Sequence, residues 1–158
     1  MKWKMGLLIL LILLSSGCWD NNKLSQRIFE TIDKKCEPGN AYCSIPIAEI
    51  TDFKWDKMAI YGVGSSNKEV SAALGVEYED STDLMSGMVF VYNNKIVYNE
   101  GIPYNPEHPG KLWINIGFKP GEPSCLGVTP DNAFFIGSRE NIDGVFYYEI
   151  EAKPMQAD

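Results

Sequence analysis

Between Met88 and Glu100 the chain reads MVFVYNNKIVYNE, and this stretch constrains the fold more than any other. Two runs rich in Val, Ile, Phe and Tyr flank Asn93-Asn94. Asparagine tolerates the positive φ that a two-residue hairpin turn demands, so the segment predicts two antiparallel strands. A turn at Asn93-Asn94 sets Val91 opposite Ile96 and Val89 opposite Tyr98. That face is apolar. Met88, Phe90, Tyr92, Lys95 and Val97 fall on the other, mixed face.

More strands follow. Lys111 to Phe118 alternates, with Leu112, Ile114, Ile116 and Phe118 on one side, until Pro120-Gly121-Glu122-Pro123 breaks it. Asn132 to Ser138 and Gly144 to Glu151 read as two last strands around a loop, RENIDG. Upstream, Leu24, Ile28 and Ile32 are spaced by four and Phe29 widens their stripe, which predicts a helix over Asn22 to Lys35. Asn21 or Asn22 suits its start and Lys34-Lys35 its end. Ser44 to Ile50 reads as a short helix with Ser44 as cap and Pro46 in its first turn. Trp55 to Val63 reads as a strand, and Asn67 to Leu74 as a helix stopped by Gly75. The sum is a single α+β domain over residues 23–158, its N-terminal helix and short helices packed on an antiparallel β-meander sheet. No internal repeat or low-complexity segment interrupts it.

The amino-terminal stretch is different in kind. Lys2 and Lys4 precede an unbroken apolar run from Gly6 to Leu14, and Ser15, Ser16, Gly17 and Cys18 follow. The run has about half of the roughly 20 apolar residues that a helix needs to span a bilayer. A basic start, a short apolar core and small residues match a secretory signal. Leu14-Ser15-Ser16-Gly17-Cys18 resembles a bacterial lipobox, with Ser15 where the usual pattern has Leu. The resemblance implies a diacylglyceryl group on the Cys18 sulfur, cleavage after residue 17, and a lipidated tether over residues 18–22. Two or three acyl chains anchor stably where one is marginal. At roughly 3.3 Å per residue such a tether holds the domain within about 15–20 Å of the membrane. Asp usually follows the cysteine in lipoproteins kept at the inner membrane; Trp19 stands there. The resemblance therefore favours the outer membrane, facing the periplasm.

Loss of residues 1–17 removes Lys2 and Lys4 and leaves twelve basic residues against 21 acidic ones, a net charge of −9. Lys34-Lys35 is then the only basic pair. Nucleic acid binding, which needs clustered Lys and Arg, is excluded as a function class, whereas a cationic protein would be steered in. In an exported chain, Cys36 and Cys43 enclose a Pro-Gly turn that brings their thiols together, so a local disulfide is expected. Cys125 is then odd. Either it is buried and inert, or it pairs with Cys36 or Cys43 instead.

Catalytic constellations are thin. The single His108, in NPEHPG, would have to serve any Ser-His-Asp or Cys-His arrangement, with Cys125 as its partner thiol. With one histidine, no metal site is expected. Glu77, Glu79, Asp80 and Asp83 form the densest carboxylate group, but their spacing does not follow an EF-hand loop. No cofactor is implied. The more informative pattern is a stripe. Phe146, Tyr148 and Ile150 face the core, leaving Tyr147, Glu149 and Glu151 outward, and Trp113 and Asn115 likewise point away from the apolar side. If those strands are neighbours, their outer face joins aromatic anchors to polar groups, as protein interfaces do. The Pro-rich loop EGIPYNPEHPG runs beside Trp113, and loops of that kind often carry binding. Glu79, Asp80 and Asp83 are candidates for the same partner surface.

A small, acidic, aromatic-rich domain with a lipobox and no catalytic set resembles immunity lipoproteins, which neutralise a toxic enzyme in the periplasm. The resemblance implies a binding module rather than an enzyme, with membrane lipid at Cys18 and a protein partner on the domain. An accessory subunit of an envelope assembly is the alternative. A small enzyme using Cys125 or His108 is a third.

Overall fold

The computed structural model describes residues 23–36, 42–117 and 124–152. The signal, Cys18, the tether, the Asn21 and Asn22 caps, Phe118 and the Pro120–Pro123 break lie outside the described residues. Eleven elements follow in order. They are α1 (Leu24–Lys35), β1 (Cys43–Pro46), α2 (Ile47–Ile50), β2 (Lys57–Tyr61), α3 (Asn67–Leu74) and β3 (Met85–Tyr92). Then come β4 (Lys95–Pro103), β5 (Leu112–Asn115), β6 (Cys125–Val128), β7 (Phe134–Ile142) and β8 (Val145–Glu151).

The α+β class is as the sequence implies, but the strands form two sheets. One is antiparallel, in the order β4-β3-β2-β6; the other is mixed, in the order β1-β7-β8-β5, with β5 parallel to β8. The β3–β4 hairpin turns on Asn93 (φ 50°) and Asn94 (φ 59°). Val91 faces Ile96 as expected, but a bulge between Phe90 and Val91 then sets Phe90, not Val89, opposite Tyr98. A second two-residue turn, Asp143 (φ 53°) and Gly144 (φ 84°), joins β7 to β8. The RENIDG segment is thus mostly strand, and β7 runs on to Ile142.

The sheets pack inner face to inner face. Met58, Ile60, Met88 and Phe90 of the antiparallel sheet share one core with Ile45, Phe135, Leu112, Ile114 and Ile150 of the mixed sheet. Leu24, Ile28 and Ile32 of α1 complete it. The other face of the antiparallel sheet, Ala59, Tyr61, Val89 and Val91, is covered by Val70 and Leu74 of α3 and by Tyr78. This double burial explains why β2 and β3 read as continuous apolar runs. Close approach sets Gly87, where a Cβ would lie 2.5 Å from the Glu100 carbonyl oxygen and 2.6 Å from the Tyr61 hydroxyl. α3 starts with a capping box between Ser66 and Glu69 and ends on left-handed Gly75.

Two helix starts differ from expectation. Ser44 does not cap a helix; Ser44 to Pro46 belong to β1, and α2 is a single turn after Pro46. The first residue of α1 follows Lys23, which offers no side-chain cap. β4 supplies the cap instead. Tyr98 Oη accepts from the Leu24 N–H (2.9 Å), and Glu100 Oε2 accepts from the Ser25 N–H (3.2 Å). Ser25 Oγ and Tyr98 Oη also donate to the Glu100 carboxylate, which is buried. A carboxylate at the positive end of a helix satisfies orphan donors and the dipole together. At the other end, Cys36 is disulfide-bonded to Cys43, tying α1 to β1.

Candidate functional site

The outer face of the mixed sheet has no helix or second sheet against it among the described residues. β5 and β8 are neighbours, with Trp113 opposite Glu149 and Asn115 opposite Glu151. β7 adds Ser138 opposite Glu149 and Glu140 opposite Tyr147. Side chains alternate across a strand, so Trp113, Asn115, Tyr147, Glu149 and Glu151 occupy one face. Trp113 is 50% exposed, the Tyr147 and Glu149 side chains are half-buried, and Asn115 Nδ2 donates to Glu149 Oε1 (3.0 Å). Tyr42, beside β1, stands 68% exposed. Tyr42, Trp113, Ser138, Glu140, Tyr147 and Glu149 are among the residues lining a shallow depression of about 450 Å³. The partly exposed Arg139 points to the opposite side of the strand, pairing with Asp33 and lying 5.2 Å from the Phe146 ring centroid. Aromatic faces beside carboxylates suit a guanidinium or ammonium group.

Phe146 departs from expectation. It shares the side of Tyr148 and Ile150, yet it is 43% exposed, because the turn carries this end of the hairpin past the core. Tyr148 keeps the expected place. It stacks on Phe29 at 4.3 Å and its hydroxyl donates to Asp33. Burial, and then that hydrogen bond, hold its pKa above the ordinary tyrosine range.

On the other side of Trp113 lies an apolar groove of about 300 Å³. One wall is β5 with Ile116 just after it. The facing wall includes Ile102 near the end of β4, Tyr104 and Pro109 of the Pro-rich loop, and Gly62 to Gly64 after β2. The Tyr104 and Trp113 rings meet edge-on at 6.0 Å. Sequence reasoning placed the loop beside Trp113 but had no means of seeing the groove, which exists only because the edge of one sheet meets the end of the other.

Asp80 of the acidic loop faces away from this surface. It accepts from Asn99 of β4, and Tyr78 is buried on the α3 side of the antiparallel sheet. Asp80 therefore lies on the α3 side of the antiparallel sheet, whereas Asp83 adjoins Leu84, whose carbonyl accepts from the N–H of Tyr104, the residue whose ring meets Trp113. Cys125 is a free thiol on β6 opposite Tyr61, and burial pushes its pKa up to about 12. It is protonated at neutral pH and a poor nucleophile. His108 is exposed in a loop, its backbone N–H donating to Asn105. Among the described residues no cluster of three His, Cys, Asp or Glu is placed to hold a metal ion, and no helix is long and apolar enough to cross a membrane. Searches against protein families, curated proteins and solved structures give no significant match.

Proposed function

We propose that this chain is a binding module, anchored in a bacterial membrane through Cys18, that receives a basic protein partner on the outer face of its mixed sheet. In its most concrete form it is an immunity or inhibitor protein that neutralises a toxic enzyme in the periplasm. The observation that carries the reading is the uncovered face itself, where half-exposed Trp113 stands among Tyr147, Glu140, Glu149 and Glu151. An aromatic anchor ringed by carboxylates on a chain of net charge −7 suits a cationic counterpart. The accessory-subunit reading uses the same face and differs in what occupies it.

The test is a crosslinked pull-down of the intact protein from its own cells, read by mass spectrometry, beside Cys18→Ser and Trp113→Ala. A single stoichiometric partner of enzymatic type, crosslinked near Trp113 and lost with Trp113→Ala, is expected. Recovery of envelope-assembly subunits would replace the inhibitor by the accessory reading. Crosslinks confined to Glu79–Asp83, or capture indifferent to Trp113→Ala, would remove this face from the account. Cys18→Ser is expected to leave the membrane fraction; retention there would refute the anchor.

A further inference from the structure

β5 is an edge strand with its ladder half used. In the parallel pairing with β8, Lys111 O accepts from the Tyr148 N–H (2.7 Å) and Asn115 O accepts from the Ala152 N–H (2.8 Å). A parallel strand directs alternate residues to each neighbour. Lys111, Trp113 and Asn115 therefore serve β8, and the N–H and C=O groups of Leu112 and Ile114 point the other way. Among the described residues no strand lies on that side. Exposed edges are ordinarily blunted by proline, by charge or by a bulge. Leu112-Trp113-Ile114-Asn115 carries none of these, and its pairing with β8 keeps an unbroken register.

The apolar groove runs along this same edge. Its floor takes in Leu112, Ile114 and Ile116, all on the inner side of the strand, and Ile102 and Tyr104 face them. On the outer side the edge is bordered by Trp113, with Glu149 and Glu151 one strand behind. A strand added here would meet two unlike surfaces by turns, apolar inward and acidic outward.

Resting on the reading of this face as a partner site, we infer that recognition proceeds by strand addition: an extended segment of the partner, alternating apolar and basic residues, pairs with the free edge of β5. The main-chain groups of Leu112 and Ile114 supply its hydrogen bonds. The groove takes its apolar side chains, and Glu149 and Glu151 meet its basic ones. Backbone pairing gives affinity and the alternation gives specificity. Charge complementarity selects a basic segment over a second copy of this acidic chain.

The probe is a synthetic peptide of strictly alternating lysine and valine, added to the full-length protein in detergent. The readout is hydrogen exchange resolved to individual amides. The expected result is slowing of the Leu112 and Ile114 amides by about tenfold or more, as for newly hydrogen-bonded N–H groups. The same peptide N-methylated at alternate amides keeps its side chains, leaves the protein's folding untouched, and is expected to give no slowing. If a peptide with lysines and valines in separate blocks acts equally well, or the N-methylated one does, strand addition is overturned. Binding of such peptides that weakens in Glu149→Gln would then leave the face standing as a charge site. Slow Leu112 and Ile114 exchange without peptide, growing with protein concentration, would mean β5 pairs with a second copy and would also overturn the proposal. Crosslinks of the cellular partner away from Trp113 would instead sink the functional reading, whatever the peptide does.

Discussion

At Trp113 stability and the proposed recognition separate within one residue. Its ring is half in water and touches Tyr104 only edge-on, so its removal takes little from the core. Trp113→Ala is expected to change unfolding free energy by no more than about 0.5 kcal/mol in denaturant titration, as for other surface sites. Partner affinity, measured on the same protein, is expected to fall by about 2 kcal/mol, the cost of truncating a central aromatic anchor. Cys125 carries the converse lesson. Its folded pKa of about 12 exceeds the ordinary 9.0 because burial disfavours the thiolate. The folded state thus holds the proton more tightly than the unfolded one. The stability this confers is complete below pH 9 and is withdrawn as pH rises toward 12. Cys125→Ala is expected to flatten that alkaline decline in denaturant midpoints, and the wild-type thiol to resist alkylation until the protein unfolds. Tyr61 and Tyr98, also shifted upward by burial, leave a residual slope.

At the scale of elements, the segment from α1 to β1 depends on a short crosslink. Cys36 and Cys43 are seven positions apart, and closing so small a loop removes about 2.5 kcal/mol of unfolded-state entropy in chain-statistics terms. Replacing both by alanine is expected to lower stability by that order, and reductant to do the same, checked by thermal unfolding with and without it. This pairing was legible in the chain, because Pro-Gly between two thiols has one easy closure. The β3–β4 hairpin was legible for the same local reason, as was α3, whose stop at Gly75 follows it directly in sequence. What escaped was set by distant partners. The start of α1 reads as Asn22 rather than Leu24 because its cap comes from Tyr98 and Glu100, far along the chain. β1 was read as helix because its pairing with β7 is invisible locally. The extension of β7 did carry a signal, Asp143-Gly144, a strong two-residue turn that the charged residues before it obscured. Of the candidate surface, the period-two alternation placed Trp113, Asn115, Tyr147, Glu149 and Glu151 on one face. It gave no reason to bring in Tyr42 or Glu140, nor to set Asp80 apart.

For the whole molecule, charge and layering act together. The chain carries a net −7 and presents carboxylates on a sheet face that no described element covers, so association with the proposed cationic partner should be steered at long range. The association rate is expected to drop by an order of magnitude or so between low and physiological salt, with the dissociation rate nearly constant; stopped-flow measurements at several ionic strengths check this. The helical side of the molecule is built for a different duty. α1 is gripped at its first turn by Tyr98 and Glu100 of β4 and just past its last residue by the Cys36–Cys43 bond. A tug arriving through Lys23 therefore meets β4 at the first turn of the helix, where Leu24 and Ser25 are held. It is handed to a long strand already paired along its whole length with β3, and α1 is spared from unravelling turn by turn. A pull on Lys23 is thus taken up by β4, while Trp113 and its neighbours, across the core on the other sheet, keep their shape.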